Sequence, residues 1–407
     1  MTPYQLTIDE SLAQGLFTQD GALGRLVEQV TQQILEAQVS EHLQARPYER
    51  TEERRGYRNG YKPRSLTTRV GTLELRVPQV RDSEFSTDLF ARFQRSEQAF
   101  ILALLERVIN GVSTRKVTHS TEELCGTEVS KSMVSALCAR LDPLVHAWNE
   151  RDWGGTAYPF VLVDALVLKI REDGRVRARS ALIATAINAA GDREILGLRL
   201  GDSASEASWA DLFTWLKGRG LQGVDLVTSD SHGGLVRAVR THVQRASWQR
   251  CQAHVTRNII DATPKALQKE MAGRLRALCG AADPFSGRAL LQALLADVAH
   301  RAPKALEILD EGYEDATAIF ALPAAYRVRL RTTNSVERLN EEIRRRERVI
   351  RIFPTRHSAL RLVGALLMEM EEQWTTSRRY LDMEGYWQWK QQQQQAPTGA
   401  AIAESAA

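Results

Sequence analysis

The sequence predicts a mixed α+β chain, a central sheet between mostly helical regions, and three patterns carry that prediction. Residues 158–170 are almost continuously apolar, broken by one acid at Asp164, and two more strand-like runs follow across Asp173-Gly174 and Gly191-Asp192. Residues 21–45, 100–108, 114–124, 131–141 and most of 252–325 repeat apolar residues at helical spacing. Residues 65–78 alternate apolar and polar around Gly71, a hairpin signature.

The first helix carries a stripe of Leu26, Val27, Val30, Ile34, Leu35 and Val39. No partner for it is evident nearby in sequence, so it is the first candidate for a surface joining two copies of the chain; the alternative is packing on its own hairpin. Between residues 46 and 82, ten Lys/Arg face five acids, with Tyr48, Tyr57 and Tyr61 interleaved. Arg54, Arg55, Arg58, Lys62 and Arg64 make its densest part. Cations with aromatics suit a nucleic-acid backbone, while the plain alternative is a solvated loop. Pro78 is expected to end the hairpin. Helices then follow, broken at residues 111–114 and at Gly126, in a helix-turn-helix layout that generic helix pairs share. Ser130 is the expected N-cap of its last helix, and Arg115, Lys116 and Lys131 its expected DNA contacts.

The strands at 158–170, 177–190 and 194–200 precede a helix over 205–217, capped by Ser205 and buried through Trp209, Leu212, Phe213 and Leu216. A strand over 223–230 ends at Asp230, and a helix at 234–244 leads to a strand at 246–250. Three antiparallel strands, a helix, a strand, a helix and a strand are the order of a ribonuclease-H-like sheet. The helical stretch from 252, punctuated by Pro264, Pro284, Pro303 and Pro323, reads as an insertion ahead of a basic helix opened by Glu337. The expected organisation is therefore 1–95 (helix, basic loop and hairpin, for DNA binding and dimerisation) and 96–150 (helix-turn-helix-like). The catalytic core follows at 151–251, the helical insertion at 252–330, the C-terminal core helices at 331–390 and a disordered Gln/Ala-rich tail at 391–407.

Composition limits the classes. With 43% hydrophobic and 26% charged among 407 residues the chain is ordinary globular protein, and a net charge of +4 is too mild to imply a nucleic-acid partner by itself. The four cysteines (125, 138, 251, 279) form no Cys-x-x-Cys pair, which argues against a disulfide scaffold or zinc ribbon and fits a reducing cytoplasm. No leader-like apolar segment opens the chain, and no run approaches the roughly 18 apolar residues a membrane span requires. A cytoplasmic protein without a membrane partner is expected.

The chemistry rests on three carboxylates. An acid in a buried strand is costly unless paired or metal-bound, and Asp164 sits in such a strand. Asp230 ends the strand expected beside it, and Glu337 approaches from the basic helix. Together they can hold two Mg²⁺ ions roughly 3.5–4 Å apart, with Mn²⁺ able to substitute, for phosphodiester chemistry. Six arginines from Arg338 to Arg351, among them Arg344, Arg345 and Arg346, would hold phosphates; a solvated helix of ion pairs is the alternative. Glu172, Asp173, Asp192, Asp202 and Asp225 fall at turns or strand ends, and Glu341 and Glu342 stand as substitutes for Glu337. Cys251 and His254 have the spacing of half a zinc site without a second Cys/His pair nearby, so a structural or DNA-positioning pair is expected. His232 either orients a phosphate or caps the next helix.

The sets Asp164, 229–234 (SDSHGG), 251–258 (CQAHVTRN) and 333–340 (TNSVERLN), with 58–61 (RNGY), 68–73 (TRVGTL) and 111–117 (GVSTRKV), resemble the prokaryotic Mutator-type insertion-sequence transposases over most of the chain. The resemblance implies a DDE triad at Asp164, Asp230 and Glu337, with an all-helical insertion before the Glu helix. It also implies recognition of terminal inverted repeats by the N-terminal region, action on target DNA, and a homodimer or higher assembly. The matched motifs carry over Arg257, Asn258, Asn334, Arg338 and Asn340 as further active-site residues beside His232, Cys251 and His254. A catalytically silent DNA-binding regulator derived from such an enzyme, or a ribonuclease-H-type nuclease that hydrolyses without joining, are the alternatives.

Overall fold

The computed structural model describes residues 6–8, 10–16, 21–81, 85–87, 89, 98–110, 112, 114–125, 129–376 and 378–395. It is a mixed α/β chain in two compact units, Met1–Arg140 and Leu141–Ala407.

In the first unit, α1 (Glu10–Gly15) and α2 (Ala22–Leu43) precede a two-stranded antiparallel ribbon of β1 (Arg58–Thr68) and β2 (Gly71–Val80). Leu35 of α2 is buried against Leu66, Leu73 and Leu75 of the ribbon, with Val27 and Val77 at the margin. The ribbon is thus the cover of Leu35 and Val27, as the hairpin alternative has it, while Leu26, Val30 and Ile34 of the stripe are half-buried. Glu28 and Gln32 extend the packing along the β2 edge. The Glu28 carboxylate accepts from Glu74 N (3.0 Å), and the Gln32 amide accepts from Arg76 N (2.9 Å) and donates to Arg76 O (2.8 Å). Strand groups that a third strand would pair are satisfied from the helix instead.

The ribbon is longer than the alternation predicted. Pro78 lies inside β2 opposite Tyr61, because both strands of a two-stranded ribbon are edges and a missing N–H can face outward. Arg58, Lys62 and Arg64 of the supposed basic loop therefore lie in β1. Next come α3 (Gln98–Ile109), α4 (Thr114–Cys125) and α5 (Lys131–Ala139), which pack on one another. Ser130 caps α5, its hydroxyl accepting from Met133 N at 3.1 Å. The breaks expected at Gly111, Ser113 and Gly126 lie outside the described residues.

The second unit opens with α6 (Asp142–Asn149), a helix beyond the expected end of the preceding one at residue 141. Pro143 sits in its first turn, where a missing N–H costs nothing. The sheet follows: β3 (Phe160–Glu172), β4 (Arg175–Ile187), β5 (Arg193–Gly201), α7 (Glu206–Gly218), β6 (Leu226–Ser229), α8 (Gly233–His242) and β7 (Ser247–Arg250). Strand order is β5-β4-β3-β6-β7, the first three antiparallel and β6 and β7 parallel to β3.

Both faces of the first part of β3 are covered, which explains its continuous apolar run there, while from Val167 on the odd-numbered residues are exposed. Odd-numbered Val161 and Val163, with Val227 of β6, pack under α7 and α8 through Trp209, Leu212, Phe213, Leu216, Leu235 and Val239. The even-numbered residues face the other way, where Phe160 meets Tyr326 and Tyr386.

A helical segment follows: α9 (Gln252–Ala262), α10 (Gln268–Cys279), α11 (Pro284–Val298), α12 (Pro303–Thr317) and α13 (Ala324–Leu330), with short 3₁₀ turns between. Pro284 and Pro303 begin their helices rather than break them, and Asp283 caps α11 by accepting from Ser286 N at 2.9 Å. The segment has its own core, built on Leu275, Leu291, Leu294, Leu309 and Tyr313. Gln249 of β7 ties it to the sheet, donating to Ala316 O and accepting from Ile319 N at 2.7 Å each.

The chain then returns to the sheet as α14 (Asn334–Ile350), α15 (Arg356–Thr375) and α16 (Glu384–Gln395). The glutamines 391–395 belong to α16, so the expected tail is shorter by that stretch, and 396–407 lie outside the described residues. No helix among the described residues is long and apolar enough to cross a membrane.

Candidate active site

Sheet register brings the first two acids near one another. The last β3–β6 pair is Leu162↔Thr228; Asp164 lies two residues further along β3 and Asp230 just past the end of β6, near enough for its charge to act on Asp164. Its even number places Asp164 on the face away from α7 and α8, the face on which Thr228 donates to Leu330 O at 2.8 Å.

On that face lies α14. Its Asn340 is buried, and Nδ2 donates to Asp164 Oδ2 at 2.8 Å, while Ala165 N donates to Oδ1 at 2.8 Å. Glu337 lies three residues before Asn340 on the same helix and so shares its face. Burial, joined by the charges of Asp230 and Glu337, pushes the Asp164 carboxyl up to about 6 against the pull of the Ala165 N–H and of His254. Asp164 is therefore ionised at neutral pH but takes up a proton as the pH falls through about 6.

Two groups from the β7–α9 junction complete the cluster. Cys251, fully buried, accepts from both the N–H and the hydroxyl of Thr333 at 3.3 Å, and Gln252 N donates to Arg331 O at 3.0 Å. These bonds fix the start of α14 to the end of β7. His254 Nε2 lies 3.6 Å from Glu337 Oε1, and atoms of Cys251, His254 and Glu337 all lie within 4.8 Å of one another. Burial raises the Cys251 thiol, but His254 and the Thr333 donors outweigh it and hold it below the ordinary thiol value. The same Cys251 contact, with the charges of Glu337 and Asp164, raises His254. Glu337 Oε1, His254 Nδ1 and Asn340 Oδ1 are buried without a hydrogen-bond partner, a concentration of unsatisfied groups that marks a place for a ligand.

A sequence model of the transposases of the Mutator family matches residues 3–377. This chain belongs to that family. It is 43% identical over 390 residues to the transposase for insertion sequence element IS256 in transposon Tn4001 of Staphylococcus aureus, spanning 94% of this chain and all of that protein. It is 43% identical to the ISRM5 transposase of Rhizobium meliloti over 91% of this chain and 92% of that one. The IS1081 transposase of Mycobacterium tuberculosis is 40% identical over 83% of this chain and 81% of that one.

The remaining residues singled out in this Mutator-family chain divide clearly. His232 is exposed at the start of α8, where its backbone N donates to Asp230 Oδ1 at 3.3 Å. Arg257, Asn258, Asn334 and Arg338 are exposed on α9 and α14, as are Arg344 and Arg345 further along α14. Arg346 is corrected: it is 5% exposed and ion-paired with Glu342, so it serves the fold rather than a phosphate. Glu342, held by Arg345 and Arg346, is likewise no substitute for Glu337.

In the first unit Arg55 and Lys62 are exposed, as are Lys116 on α4 and Lys131 on α5. Arg58 is engaged internally, with Glu36 at 2.9 Å and Ser40 Oγ at 2.7 Å. Arg54 braces its loop through Gly56 O and Glu49 O, and Arg64 is half-buried. Arg115 lies in α4, its side chain outside the described set.

Sequence reasoning did not foresee the Asn340–Asp164 bond or Thr333 as the Cys251 partner. The Glu337-to-Asn340 interval of three was the available signal, since it puts both residues on one helix face.

Proposed function

We propose that this chain is the transposase of an insertion sequence, a DDE enzyme that binds terminal inverted repeats and cuts and joins DNA strands with divalent metal. The observation that carries it is the Asn340–Asp164 hydrogen bond, which draws the Glu337 helix onto an acid near Asp230. The sheet order and the helical segment before α14 support a ribonuclease-H-like core with an insertion.

The donor set fits Mg²⁺ or Mn²⁺: three carboxylates are hard oxygen ligands, and Glu337 Oε1 is buried and unpartnered. Asp164, Asp230 and Glu337 would hold two such ions, which supply activation of the attacking oxygen and neutralisation of the leaving one. Asn340 fixes the Asp164 carboxylate by its amide, and Cys251 and Thr333 fix the start of the Glu337 helix. Exposed Arg338, Arg344 and Arg345 would meet phosphates.

The test is incubation of the purified chain with duplexes carrying its element's ends and Mg²⁺, followed by mapping of nicked and joined strands. Nicking at the element ends with joined products supports strand transfer, nicking alone supports a nuclease, and binding without nicking a silent regulator.

Asp164 makes metal affinity pH-dependent. Its raised value, about 6, means that it still carries a proton at pH 5 and must lose it before a cation binds. Mn²⁺ affinity, followed by the ion's paramagnetic resonance, should strengthen steeply between pH 5 and 7 and then level off. A flat profile would separate Asp164 from the metal.

A fragment of residues 1–140 should bind end DNA by itself, using the exposed Arg55, Lys62, Lys116 and Lys131. If all four reach phosphates, the slope of log affinity against log salt is about −3.6, at roughly −0.9 per contact. Gel shifts in graded salt measure this, and equal affinity for random duplex would place recognition elsewhere.

A further inference from the structure

We propose that Cys251, His254 and Glu337 form a binding site for one thiophilic divalent cation of the zinc class, separate from the carboxylate set but sharing Glu337 with it. A search of the sequence for a second Cys/His pair finds none, because the third ligand is a carboxylate that the fold delivers from α14.

Geometry supports the assignment. Ligand atoms around a tetrahedral zinc stand roughly 3.3–3.8 Å apart, given metal–ligand lengths of about 2.0–2.3 Å. His254 Nε2 and Glu337 Oε1 are 3.6 Å apart, and all three ligand atoms lie within 4.8 Å, so small side-chain movements close the set. The surroundings suit a thiolate as well. Both polar groups of Thr333 already donate to the Cys251 sulfur, leaving it an acceptor. Glu337 Oε1 and His254 Nδ1 are buried without a hydrogen-bond partner, Glu337 Oε1 facing His254 Nε2 at 3.6 Å, and a cation between the three residues would engage the carboxylate. Three protein ligands leave a fourth position for water.

Sulfur and imidazole select zinc-class ions over Mg²⁺, whereas three carboxylates select the harder ion. Glu337 belongs to both sets, so zinc bound here would draw it from the carboxylates and oppose the Mg²⁺-dependent reaction. That competition, though not the binding, rests on the DDE reading.

The full chain, stripped with chelator, should bind one zinc in equilibrium dialysis, and with Co²⁺ should show a sulfur-to-metal charge-transfer band. Cys251→Ser should abolish the band. His254→Gln and Glu337→Gln should each weaken zinc binding by about 100-fold or more, beyond the 10–100-fold typical of losing an outer partner. Asp230→Asn should bind zinc like the parent chain. Because Cys251 is buried, circular dichroism checks its variant, and the half-buried His254 and Glu337 keep the test decisive if it misfolds. Absence of a stoichiometric ion or of the band in the parent chain, or unchanged binding by both His254→Gln and Glu337→Gln, would overturn the site. Zinc that binds without slowing Mg²⁺-dependent cleavage would overturn the sharing of Glu337. A normal zinc site in a chain that never cleaves end DNA would leave this inference standing and remove the DDE reading instead.

Discussion

Asp164→Asn, Asp230→Asn and Glu337→Gln should each reduce Mg²⁺-dependent cleavage of end DNA by about 1,000-fold or more, at roughly 1.4 kcal/mol of barrier per tenfold, while end binding stays within a few-fold. Each change removes one carboxylate charge and keeps side-chain volume, so packing is nearly unaltered. The three losses should not add in double variants, since a set of ligands fails as a unit once one is gone. Glu342→Gln is the internal control: its carboxylate is committed to Arg345 and Arg346, so this variant should lose some helix stability and little chemistry. Strand mapping with matched gel shifts measures both quantities. Cleavage near the parent rate by any one of the three variants would remove that residue from the site.

The largest effect on folding is expected from Trp209→Ala. Trp209 is 1% exposed and sits at the centre of the core between α7, α8 and the odd face of β3. Truncating a buried tryptophan costs about 3–5 kcal/mol, which for a domain of this size lowers the melting temperature by roughly 6–20 °C. Trp209→Phe should cost far less, because the indole N–H has no partner to lose and most of the apolar volume remains. Calorimetry on the two variants compares them directly, and equal destabilisation would mean that the N–H, not the volume, is what the core holds.

The local rules of the sequence served the sheet unit well. Turn residues at Asp173-Gly174 and Gly191-Asp192, the Ser205 cap and the buried stripe of α7 were each decided by neighbours in the chain, and so was the position of Asp164 in an apolar strand. Wherever the deciding partner lay far away, the reading fell short. Val27 and Leu35 left two covers open, a second copy and the chain's own hairpin, and only the contacts with Leu66, Leu73 and Leu75 some forty residues on decide for the hairpin. Arg58 looked like a free cation because Glu36 reaches it only once helix and ribbon exist, whereas the Arg346–Glu342 pair, four residues apart on one helix, was within reach of the ion-pair alternative. Pro78 misled, because an edge strand tolerates a residue without an N–H. The junction of Cys251 with Thr333 spans 82 residues, which no spacing rule reaches.

The helical segment between β7 and α14 leaves and re-enters the sheet at nearly one point, where Gln252 N meets Arg331 O and Cys251 meets Thr333. Its ends are joined by the sheet unit's own hydrogen bonds, and its core is self-contained. Closing a loop costs only about 0.6 kcal/mol more for each doubling of length, so this junction should accept segments of very different size. A longer, shorter or exchanged insertion in this chain should therefore change little at the acids of the sheet unit. An engineer could seat a reporter or ligand-binding domain at the exposed start of α11, around Phe285, and expect the sheet to fold around its acids as before.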